Sequence, residues 1–158
     1  MILYHGTNVD FDRIDLNKSM RFKDFGRGFY LTDIRSQAVE MANRRVRIDG
    51  GSPVLQSYAI DDQSDAYRKL SILRFENPTA QWADFIFKNR SRTLRFQHGF
   101  DIVYGPIADD GVAYLLSLYE DGLRTLDELA KELQFRKLNN QYCFETESSV
   151  RLLQRIYP

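Results

Sequence analysis

Apolar residues along this chain switch between two spacings, and the switches mark its elements. Ile2 to His5 alternates and stops at Gly6-Thr7-Asn8, which predicts a short strand closed by a turn. Residues 8–27 are polar and irregular, with Phe11, Ile14 and Leu16 as isolated anchors. Gly26-Arg27-Gly28 then leads into a second strand, Phe29 to Thr32. Asp33 or Ser36 caps a helix to about Arg47, with Ala38, Met41, Ala42 and Val39 turned inward. Gly50-Gly51-Ser52-Pro53 breaks it. Strands are predicted from Val54 to Ile60 and around Leu70 to Phe75. Asn77-Pro78 reads as a helix start, with Trp82, Phe85 and Ile86 on one face and an end near Asn89. A strand from Phe100 to Tyr104 closes at Gly105-Pro106, and a helix from Asp110 to Tyr119 is stopped by Gly122. Thr125-Leu126-Asp127-Glu128 fits a capping box for a helix to about Gln134. Gln141 to Glu145 reads as a strand, and the chain finishes in a helix carrying Val150, Leu152, Leu153 and Ile156. Strands and helices mix without a regular βαβα order, which predicts an α+β fold with mostly antiparallel pairing.

Composition narrows the class. A length of 158 residues suits one domain, 1–158, and 43% hydrophobic residues suit a packed core rather than a disordered chain. Lysine plus arginine equals aspartate plus glutamate at 22 each, so the global positive field of a non-specific nucleic-acid binder is missing. The lone cysteine, Cys143, excludes an internal disulfide and a multi-cysteine zinc site. The two histidines, His5 and His98, stand too far apart for the usual metal-ligand spacings. Nothing resembles a signal peptide or an apolar run of about 20 residues, so a cytoplasmic protein with no membrane partner is expected.

Three segments carry candidate chemistry. In Leu3-Tyr4-His5-Gly6-Thr7 an imidazole ends a strand beside a glycine, where a ligand can approach the main chain; an ordinary hydrogen-bonding surface histidine is the other reading. In Asp24 to Thr32 two glycines bracket a bend, and Phe29 and Tyr30 must point to opposite faces of the strand that follows. One ring then enters the core and the other lines whatever lies across the sheet, unless both are simply core. In Asn139 to Glu145, Gln141, Cys143 and Glu145 share one face and Tyr142 and Phe144 the other. With the aromatics inward, Gln141 and Glu145 face a cleft or solvent.

Taken in order, His5-Gly6-Thr7, Gly26-Arg27-Gly28-Phe29-Tyr30-Leu31 and Gln141-Tyr142 resemble the motifs of ADP-ribosyltransferases of the diphtheria-toxin and poly(ADP-ribose)-polymerase clade. The whole chain is similar to a bacterial domain-of-unknown-function family grouped with those enzymes. Beyond the three motifs, the similarity runs through Trp82-Ala83-Asp84-Phe85 and Asp101 to Asp110. The resemblance implies a fold of two split antiparallel sheets, flanked by helices, with NAD in the cleft.

It also implies roles. His5 would bond a ribose hydroxyl, the Gly6 main chain would hold the nicotinamide amide, and Tyr30 would stack on the cationic nicotinamide ring. Thr7 would add a hydroxyl. Lys23 to Arg27 would cover the adenosine or pyrophosphate half, with Arg27 or Arg21 toward phosphate, and Gly28 and Phe29 would frame the site. The clade's glutamate is replaced here by Gln141, which can hydrogen-bond but carries no charge and cannot act as a base. Glu145, about 13 Å farther along the same strand face, is a candidate substitute.

The resemblance therefore implies an NAD-dependent mono-ADP-ribosyltransferase acting on a macromolecular acceptor, in the setting of a toxin with a small antitoxin partner. Two rival expectations stand beside it: a binding module for NAD or ADP-ribose without turnover, and a nucleic-acid-modifying relative that docks through its arginine clusters. Other features read as structural. Asp109 or Asp110 caps the following helix, and Arg44, Arg45 and Arg47, like Lys88, Arg90, Arg92 and Arg95, are solvated helix ends. His98 sits at the surface, and Cys143 is buried and inert.

Overall fold

In the computed structural model, which describes residues 1–134, 136 and 138–158, strand formation follows the short alternating segments. The strands are β1 (Ile2–Thr7), β2 (Phe29–Leu31), β3 (Val54–Ala59), β4 (Ile72–Arg74), β5 (Ile102–Pro106), β6 (Asn140–Phe144) and β7 (Gln154–Ile156). The helices are α1 (Arg35–Asp49), α2 (Asp65–Arg68), α3 (Ala80–Arg90), α4 (Asp110–Glu120), α5 (Leu126–Leu133) and α6 (Glu147–Val150). One sheet has the order β1-β3-β7 and the other β2-β6-β5-β4. Every neighbouring pair is antiparallel except β4 with β5. The sequence expectation of an α+β chain with mostly antiparallel pairing agrees with this.

Among the described residues the two sheets bond edge to edge at one place. Tyr4 N–H donates to the Thr32 carbonyl at 2.7 Å and Thr32 N–H to the Tyr4 carbonyl at 2.9 Å. Beyond that bridge the sheets part and face one another across a core of Leu3, Phe29, Leu31, Tyr58, Ile102, Tyr142 and Phe144. On its other face the β2-β6-β5-β4 sheet packs Val103 and Cys143 against Trp82, Phe85, Ile86, Val112, Leu116 and Leu129 of α3, α4 and α5. The period of two along β6 explains this division: Tyr142 and Phe144 enter one core and Cys143 the other. The strand is therefore buried on both faces at Cys143, not amphipathic as its sequence suggested.

Several helix ends are set by local chemistry that the sequence announces. Thr125 and Glu128 form the reciprocal capping box, at 3.2 and 2.9 Å. The Asp109 carboxylate accepts from Val112 N–H at 2.8 Å and caps α4. Other ends depart from expectation. The hydroxyl of Thr79, not Asn77, caps α3 by accepting from Trp82 N–H. Neither Asp33 nor Ser36 caps α1; Ile34 holds that position without a side-chain bond. Met41 is exposed, because α1 seats on the sheet through the narrow stripe of Ala38 and Ala42. The expected terminal helix is the single turn α6 followed by β7, which covers the open edge of β3 with Ser57 opposite Ile156. Edge pairing, reinforced by Arg155 bonding Asp10 and the Phe11 carbonyl, outweighs the helical spacing there.

Candidate functional site

The site forms around the bridge between the sheets. Tyr4 directs its own main-chain groups to Thr32, so the alternation of an antiparallel strand turns those of Gly6 the same way, away from β3. No turn, loop or side-chain group among the described residues bonds them. The missing side chain of Gly6 serves a different purpose from the one expected: a Cβ there would lie 1.9 Å from the Ala38 carbonyl oxygen, so the glycine admits α1 rather than a ligand.

His5 projects toward the inter-sheet core, with its ring centroid 4.4 Å from that of Phe29. Its Nδ1 lies 2.8 Å from the Tyr30 carbonyl oxygen. A carbonyl only accepts, so the proton sits on Nδ1 and Nε2 keeps a free lone pair. Burial lowers the pKa of His5 to about 4, against the opposing pull of that carbonyl and with help from Lys23 and Arg45. The imidazole is thus neutral near pH 7, and among the described residues its Nε2 has no hydrogen-bond partner.

Tyr30 and Phe29 do point to opposite faces: Phe29 enters the inter-sheet core, while Tyr30 packs against the helix-side core. The Tyr30 phenol donates to the Gly26 carbonyl at 2.7 Å and accepts from Phe25 N–H at 3.0 Å. Burial raises its pKa well above the ordinary tyrosine value. Phe25, fully buried, stacks on the ring, and the Lys23 ammonium stands 4.6 Å from its centroid. Burial lowers the pKa of Lys23, and Arg45 adds to the effect.

Gln141 arrives through register. It pairs with Gly105, and Tyr30 lies opposite Cys143, two residues farther along β6. Gln141 and Tyr30 therefore share the helix-side face as diagonal neighbours. His5 is joined to them through the Tyr30 main chain and lies on the other side of β2. Tyr30 and Gln141 thus share one face of the sheet, and His5 lies on the other, joined to them only through the Tyr30 carbonyl.

Other expected site residues have different work. Arg27 bonds the carbonyls of Ser19 and Asn17 and staples its own loop, which leaves it turned from any phosphate role. Gly28 is held by the Ser19 hydroxyl on both main-chain groups, and a Cβ there would meet Cys143 Sγ at 2.4 Å. Thr7 accepts a long bond from Val9 N–H, 3.4 Å, at the end of β1. Glu145 does not face a cleft. Its side chain is 10% exposed and lies 3.0 Å from His98 Nε2. His98, expected at the surface, has a side chain only 6% exposed; Nε2 also donates to the Phe25 carbonyl at 2.7 Å, and Nδ1 accepts from Phe100 N–H. Burial alone would lower the His98 pKa, but Glu145 and the carbonyl outweigh it and the pKa rises. The pair latches the loop that carries Lys23, Phe25 and Gly26. Arg90, expected in solvent, ties the same loop to α3 through Asp24 at 2.6 Å. Cys143 is buried as expected, with its thiol pKa raised by that burial.

Lys23 and Arg45 are the cations that sequence reasoning did not single out for the rings of His5 and Tyr30. Their only signal was position: one in the loop before the glycines, the other nearly three turns along α1. Two surface depressions lie elsewhere, one of 360 Å³ lined by Phe87, Arg90, Ser91, Thr93 and Glu120, the other of 280 Å³ beside Arg13, Tyr58 and Arg151. Neither includes His5, Tyr30 or Gln141. Among the described residues no cluster of His, Cys, Asp and Glu could hold a metal, and no helix is long and apolar enough to cross a membrane. Comparison with curated proteins and with solved structures returned no match. The family of proteins of unknown function DUF3990 matches residues 1–155, and the chain belongs to it.

Proposed function

We propose that the chain is an NAD-dependent mono-ADP-ribosyltransferase whose dinucleotide site is the junction of the two sheets. The observation that supports this best is that residues from three distant segments are linked near the Tyr4–Thr32 bridge: register sets Tyr30 diagonal to Gln141, and His5 bonds the Tyr30 carbonyl. The groups fit NAD⁺ as a substrate. His5 Nε2, an acceptor by its tautomer, receives a ribose hydroxyl. The unpaired main chain of Gly6 matches a carboxamide, which both donates and accepts. Tyr30 offers an aromatic face to the nicotinamide cation.

Cleaving the nicotinamide–ribose bond develops positive charge on the ribose. Holding ribose and ring in fixed positions lowers the barrier by orientation. Gln141 adds a hydrogen bond to a ribose hydroxyl but no charge, so turnover is slow and a single ADP-ribose is transferred to a macromolecular acceptor. A module that binds NAD without turnover is the second reading, and the neutral Gln141 is what favours it.

Incubation with NAD⁺ and a cell lysate separates the readings. The transferase releases nicotinamide and labels a macromolecule, Tyr30→Ala slows release by about tenfold or more, and Gln141→Glu speeds it. Tight binding with no release from the wild type or Gln141→Glu supports the module. Release that is absent, with no binding, removes both.

A further inference from the structure

We infer that Lys23 makes the Tyr30 pocket select an intact dinucleotide over the free base, because its ammonium covers the ring until one ligand brings both a ring to Tyr30 and an anion to Lys23. The inference rests on the site reading above and adds a residue to it that determines specificity.

Its basis is where Lys23 sits. The residue as a whole is exposed, but its ammonium is desolvated enough to lower its pKa and lies 4.6 Å from the centroid of the half-buried Tyr30 ring. Phe25 is fully buried and stacks on the same ring. Among the described residues no carboxylate lies within 4.0 Å of the ammonium. It also shares its surroundings with two other basic groups, His5 and Arg45, and all three lie within electrostatic reach. A cation on an aromatic face, with no ion pair among the described residues and only the field of the neighbouring Asp24 carboxylate to favour it, is free to shift to a stronger anion.

Consider what each ligand offers. Neutral nicotinamide competes for the ring but gives the displaced ammonium nothing to pair with. ADP-ribose gives the ammonium a diphosphate but leaves the ring uncovered. NAD⁺ does both, and its nicotinamide cation replaces one cation–π contact with another. After cleavage the return of Lys23 to Tyr30 favours departure of the base.

Calorimetry with NAD⁺, nicotinamide and ADP-ribose on wild type, Lys23→Met and Lys23→Arg tests this. Lys23→Met should bind nicotinamide about tenfold more tightly and ADP-ribose about tenfold more weakly than wild type, while Lys23→Arg keeps the wild-type order. Lys23→Gln repeats the comparison should the methionine variant fail to fold. If Lys23→Met binds NAD⁺ and shows unchanged affinity for both fragments, the inference is overturned and the NAD site stands. If neither wild type nor any variant binds NAD⁺ or its fragments, the site reading fails and this inference with it.

Discussion

At the scale of the residue, His5 shows how a main-chain contact sets the chemistry of a side chain. The Tyr30 carbonyl fixes the proton on Nδ1, and burial keeps the ring neutral, with a pKa of about 4 instead of 6.5. The sign of the consequence follows. As pH falls below the unfolded value, the unfolded chain takes up a proton that the folded chain refuses. Stability present above about pH 6.5 is therefore lost progressively down to about pH 4. For His5 alone the loss between about pH 7.5 and about pH 4.5 reaches at most about 2.5 kcal/mol. Urea unfolding of wild type and His5→Gln at those two values should show the wild type losing more. Parallel losses would mean that His5 does not titrate as its surroundings require. The place of His5 at a strand end was readable from Gly6-Thr7-Asn8, and the opposed faces of Phe29 and Tyr30 from the period of two. The positions of Lys23 and His98 were not, because each depends on a loop folding back onto a strand distant in sequence.

Elements were readable where local chemistry alone decides them. The Thr125–Glu128 box and the Asp109 cap each involve side chains three residues from their partners, so the sequence contains the whole interaction. It failed where tertiary pairing decides, as at the terminal segment, whose strand β7 exists only because β3 offers an edge. The contact of α1 with β1 is of the second kind. Gly6 reads as a ligand-approach glycine in sequence, yet it is the helix backbone at Ala38 and Ala42 that comes close. Gly6→Ala forces a Cβ to 1.9 Å from one backbone oxygen and 2.8 Å from a backbone nitrogen, neither of which can yield without moving the helix. A loss of about 3 kcal/mol or more is expected in urea or thermal unfolding. A variant as stable as wild type would show that α1 is not seated as described. The same shift would move the Gly6 main chain, so the proposed carboxamide contact should weaken along with stability.

For the whole molecule, the informative feature is that two sheets meet at a single bridge and then separate. The core fills the space between them, and the proposed site lies at the place where they part. Alternating patterns foretold strands on either side but not which strands would be neighbours. The order β2-β6-β5-β4 brings residues 30 and 141 together across more than a hundred positions of chain, and only long-range register does that. Periodicity could not anticipate that pairing. The central claim is that one dinucleotide spans it. A crystal structure with a hydrolysis-resistant NAD analogue tests this most directly. The account predicts the nicotinamide ring on Tyr30 with Lys23 displaced, the carboxamide on the Gly6 main chain, and a ribose hydroxyl on His5 Nε2. A dinucleotide bound on another surface, or none bound at saturating concentration, would contradict it.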